Sequence, residues 1–177
     1  MFSKEISKLI HHICRFSIFI FVLSVASLYA SPKTSNVLSE LKNKQGYWKV
    51  TNVVWEESSG PVSPEFHYAK QIQIEANKQG FFLSKKESNK NTEPTETKKK
   101  ISQNTYVALM KELFHSNALH LSYEEPPKQK VLGISYNSFS IRVGSKQSRF
   151  YYVLKDLEKK EFKKKKEIIQ IMKRIKL

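Results

Sequence analysis

The chain has 177 residues, with 31 Lys+Arg against 16 Asp+Glu, a net charge of +15 and 12% aromatic side chains. That length suits one domain with a tail and excludes a large multidomain enzyme. A single Asp, Asp156, leaves calcium loops, aspartic dyads and Asp-oriented His triads almost nothing to draw on.

Lys4, Lys8 and Arg15 precede an uncharged stretch, Phe16 to Ala30, and Pro32 opens a polar segment. A basic start, an apolar middle and a small-residue exit predict an export signal over 1–30, cleaved near Ala30. The alternative is a retained anchor. Fifteen residues, however, rise only about 22 Å as a helix, short of a hydrocarbon core of about 30 Å. The mature chain is therefore expected to hold no stable transmembrane span. Cys14 precedes the apolar stretch, so a cleaved chain would carry no disulfide, Cys-ligated zinc or thiol nucleophile.

Residues 31–46 read as a polar N-terminal segment in which Val37, Leu38 and Leu41 share helical spacing. A single domain is expected over 47–177. Tyr47 to Trp55 is rich in β-branched and aromatic residues and predicts a strand. After the Ser58–Pro64 loop, Ile72, Ile74 and Ala76 alternate with polar residues, Asn77–Gly80 turns, and Phe81–Lys85 returns. Residues 86–100 hold no large apolar side chain and are expected to be a disordered polar insertion. Ser102 is a natural N-cap for a helix carrying Tyr106, Leu109, Met110, Leu113 and Phe114 on one face, with Asn117 as its stop. Leu119 and Leu121 flank His120 in a short extended piece. Phe139, Ile141 and Val143 alternate into another strand, Gly144–Gln147 turns, and Phe150–Leu154 follows. Lys155–Leu177 predicts a basic C-terminal helix. The order predicts an α+β fold: an antiparallel sheet with two main helices on one face. Ile72, Ile74, Tyr106, Leu109, Leu113, Ile141 and Val143 are its expected core.

Candidate chemistry is sparse. His67, His115 and His120 lack the i,i+4 spacing that sets two imidazoles on one helical face, so no metal site is expected. Glu56 and Glu57 are adjacent on a strand and point to opposite faces. Glu124 and Glu125 precede two prolines and read as a solvated loop. No nucleophile elbow, Walker loop or dinucleotide fingerprint occurs, so no catalytic residue and no cofactor is assigned. Lys155–Lys176 carries ten Lys/Arg and four acids. Lys163, Lys164, Lys165, Lys166, Lys173 and Arg174 are the candidate contacts to an anionic envelope surface or an acidic protein. The plainer reading of the same run is a solvated helix face. Nucleic acid is not an expected partner of an exported chain.

Trp55 to Pro64, Ile72–Glu75 to Gly80–Leu83, Ile101–Gln103 to Leu113–Phe114, and Ser140–Gly144 to Tyr151–Val153 form a succession that resembles small exported bacterial domains of unknown function. It is also loosely similar to the emfourin-type protease inhibitors. The resemblance spans roughly residues 47–177 and carries over no functional residue. Together these readings point to an exported, non-catalytic binding or structural protein of the bacterial cell envelope, periplasmic or secreted. A secreted protease inhibitor and an enzyme without a local motif are the alternatives.

Overall fold

The structure, a computed structural model, describes residues 37–60, 62–90, 92–127, 135 and 137–177. The expected signal segment 1–30 lies outside them. Helix α1 (Val37–Leu41) leads into strands β1 (Thr51–Ser58), β2 (Tyr68–Asn77), β3 (Gly80–Asn89) and β4 (Thr95–Ile101). Helix α2 (Gln103–His115) follows, then β5 (Asn137–Val143), β6 (Lys146–Tyr152) and helix α3 (Lys163–Arg174). The six strands form one antiparallel sheet in the order β4-β3-β2-β1-β5-β6. The fold is α+β.

Alternation along each strand decides what each face carries. Thr51, Val53, Trp55 and Glu57 of β1 point to one side, in register with Ala76, Ile74, Ile72 and Lys70 of β2. On the other flank, Val143, Ile141 and Phe139 of β5 continue the same face. The helices cover it. Tyr106, Met110 and Leu113 of α2 and Ile168, Ile169, Ile171 and Met172 of α3 are buried in one core with these strand residues. Of the seven expected core residues, six are buried; Leu109 is half-buried and packs at the margin. Val37 and Leu41 of α1 also enter the core, so the packed unit starts upstream of the expected boundary at 47. Trp48, Phe81 and Tyr106 close that end as a ring cluster, with Phe81 stacked on Tyr106 at 4.6 Å and Trp48 edge-on to Phe81 at 5.1 Å.

Turn chemistry is local. Asn77 Oδ1 accepts from the Gln79 N–H at 2.8 Å, and Gly80 supplies the positive φ of +129° that the β2–β3 hairpin needs. Ser102 caps α2 by accepting from the Thr105 N–H at 3.1 Å, and Asn117 leaves the helix with a left-handed φ of 57°. The short piece at 118–120 is a 3-10 turn, not extended.

Two further expectations are corrected. Residues 86–100 are not a disordered insertion: β3 runs on to Asn89 and β4 pairs with it from Thr95 to Ile101. Main-chain hydrogen bonds need no apolar side chain, and Lys86–Glu96 and Lys98–Glu75 pair across strands at 3.0 and 2.9 Å. Lys98, Lys99 and Lys100 line this exposed edge, a common guard against further strand pairing. The opposite edge is covered, because Tyr123 bridges to Arg149 of β6 and the Glu124 N–H donates to the Arg149 carbonyl at 2.9 Å. The second correction concerns the basic C-terminal helix over 155–177. Two 3-10 turns, Leu154–Glu158 and Lys160–Phe162, precede a helix confined to Lys163–Arg174. Asp156 causes the first break, its carboxylate turning back to the Val153 N–H at 3.2 Å and to Lys159 at 2.7 Å. Those bonds, Lys159 first, hold its carboxyl below the ordinary value. Among the described residues no helix is long and apolar enough to cross a membrane.

Candidate functional site

The basic run splits into parts with different duties. Helix α3 buries Ile168, Ile169, Ile171 and Met172, and that face fixes where each lysine points. Lys163, Lys164 and Lys166 are exposed, and none of them makes an ion pair among the described residues. Lys165 turns inward. Its Nζ lies 2.7 Å from Glu124 Oε1, 5.2 Å from the Phe150 ring centre and 4.6 Å from that of Phe162. Glu124 is thus no solvated loop residue, because its second oxygen accepts the Tyr151 N–H at 3.0 Å and ties the edge segment to β6.

Lys173 and Arg174 stand at the far end of the helix, about 16 Å from Lys163 at 1.5 Å per residue. They do not join the lysine cluster. Lys173 pairs with Glu57 at 2.8 Å and lies over the Trp55 ring at 5.6 Å. Arg174 pairs with Glu112 at 3.1 Å, a solvent-exposed contact of small energetic weight. The surface left for a ligand is Lys163, Lys164 and Lys166.

Their placement runs against local electrostatics. A helix N-terminus carries about half a positive charge, so cations in the first turn are unfavourable there. The first turn of α3 holds four lysines and no acid, and Phe162 offers no side-chain cap.

Glu57 sits in a buried polar chain that the spacing of residues did not announce. Trp55 Nε1 donates to the Tyr152 hydroxyl at 2.8 Å, which in turn donates to Glu57 Oε2 at 3.2 Å. Burial is the main cause pushing the Tyr152 hydroxyl well above its ordinary value, with the neighbouring Glu57 carboxylate adding to it. Glu56, as expected, faces the other way and is exposed. The partners come from strands 95 residues apart, so only the fold reveals the chain. His67, His115 and His120 are exposed; His115 ends α2, His120 ends the 3-10 turn after it, and His67 lies between elements.

No protein-family model matches this sequence, and no curated protein matches it.

Proposed function

We propose that the protein is an exported, non-catalytic component of the bacterial cell envelope that contacts anionic membrane surfaces through the first turn of α3. Export rests on the basic, apolar and small-residue succession over 1–30. The surface reading rests on one observation: Lys163, Lys164 and Lys166 project unpaired from a turn where the helix disfavours them. A purely structural helix gains nothing from that arrangement, whereas an anionic surface would relieve it. Each lysine near such a membrane contributes about 1 kcal/mol, enough for transient adhesion by three together. Their methylenes reach outward from a helix already anchored by its isoleucines.

The test begins with protein isolated from the envelope fraction, whose intact mass is expected to lack residues up to about Ala30. It is then sedimented with anionic or neutral liposomes at low and high salt. Wild type should sediment with anionic vesicles only, and less so as salt screens the attraction within about 8 to 10 Å. Lys163→Gln/Lys164→Gln/Lys166→Gln should stay in the supernatant, while the single change Lys165→Gln should bind as wild type does. Equal sedimentation of wild type and triple variant overturns the reading. So does binding to an acidic protein that liposomes do not compete away.

A further inference from the structure

The sheet face away from the helices carries a second cationic site built from a different residue. Only four of the 31 cationic side chains are arginine, and two of these, Arg142 and Arg149, line one cleft of about 190 Å3 on that face. They come from β5 and β6, where the register sets Arg142 opposite Gln147 and Ser140 opposite Arg149, so the two residues are diagonal neighbours on one face. Asn52, Ser140, Gln147 and Tyr123 add polar groups to the lining, and none of the described residues that line the cleft is a carboxylate.

The two arginines are held for recognition rather than spent on ion pairs. Arg149 lies over the Tyr123 ring at 4.9 Å and reaches the Tyr151 hydroxyl at 3.5 Å, and among the described residues it pairs with no acid. Stacking fixes the plane of its fork. Arg142 is exposed and likewise unpaired. A chain rich in lysine places two of its four arginines where a planar, bidentate donor can grip an oxyanion. The surrounding groups are amides and hydroxyls, which exchange hydrogen bonds with sugar hydroxyls equally as donors and acceptors. The cleft is too small for a whole drug-sized ligand, whose pockets start at about 300 Å3, and it opens onto a flat polar sheet.

We propose that Arg142 and Arg149 bind the carboxylate of one uronic-acid unit of an acidic polysaccharide, with Asn52, Ser140 and Gln147 meeting its hydroxyls. This site is independent of the α3 lysines, which belong to the opposite side of the sheet.

The test is calorimetric titration of the purified full chain with tri-galacturonate, a neutral trisaccharide, tetraglutamate and inorganic phosphate in separate runs. Tri-galacturonate should bind and the other three should not. Arg142→Lys and Arg149→Lys keep the charge but lose the fork, and each should weaken binding about tenfold, the loss of one charge-assisted hydrogen bond. Lys163→Gln/Lys164→Gln/Lys166→Gln should leave the titration unchanged, which separates this site from the membrane contact. Thermal melting of each variant controls for folding, and Gln147→Ala, at an exposed position, supplies a further weakened variant. No binding of tri-galacturonate, indifference to both arginine changes, or equal binding of tetraglutamate or phosphate overturns the proposal.

Discussion

Glu57 shows how one residue can be read correctly and still be undervalued. Its inward direction follows from strand alternation, yet its partners Tyr152 and Lys173 are distant in sequence and known only through the fold. The carboxylate is 8% exposed, while the Lys173 side chain is 42% exposed, so solvent screens part of the pair. Lys173→Met should destabilise the protein by about 1 to 3 kcal/mol, because Glu57 stays buried with one hydroxyl donor. Adding Glu57→Gln should recover much of that loss, since the uncompensated charge disappears. Urea unfolding of the two variants checks both signs. Glu124 teaches a similar lesson. Beside two prolines it looks like a solvated acid, and only the fold brings Lys165, 41 residues on, to its oxygen. Arg142 and Arg149 likewise mean nothing as a spacing of seven; the β5–β6 register makes them neighbours.

At the scale of elements, apolar periodicity carried the prediction wherever a face was buried. β1, the β2–β3 hairpin, α2 and the β5–β6 hairpin all follow from alternation, caps and turn residues. β4 leaves no trace in the sequence because Thr95–Lys100 buries no side chain; its order comes from main-chain bonds to β3 that carry no hydropathy pattern. The start of α3 is not legible in the sequence, because a lysine run is compatible with helix or turn and Asp156 decides for a turn. The same helix supports a prediction about its first turn. Lys163→Glu replaces a cation by an anion at the positive helix end and should stabilise the fold by about 0.3 to 1 kcal/mol. Liposome binding should weaken at the same time. A rise in melting temperature without loss of binding would detach the lysines from the surface reading.

For the molecule as a whole, two buried tyrosines make its alkaline limit predictable. Tyr106 donates to Thr51 Oγ1 at 2.9 Å, and burial pushes its hydroxyl up to about 12. Burial drives Tyr152 upward as well. An unfolded tyrosine ionises near pH 10. Stability from a raised group is fully present below that value and is lost as pH rises through the folded one. Tyr106 alone should therefore remove about 2 to 3 kcal/mol between pH 10 and 12. Urea midpoints across that range should fall, and Tyr106→Phe should flatten the decline.

The strand order has a further consequence, for the order in which the chain can become safe. β1 lies in the middle of the sheet, but one of its two partners, β5, follows β2, β3, β4 and α2 along the chain. The hairpins on either side close over short loops, whereas the β1–β5 seam must close across most of the domain, at a larger cost in chain entropy. Until Asn137–Val143 arrives, Val53 and Trp55 stand on an open strand edge with none of the lysines that guard β4. A nascent or stalled chain ending before that seam presents its most sticky edge to every other copy. Its last two strands cover the edge that the four-stranded partial sheet leaves open.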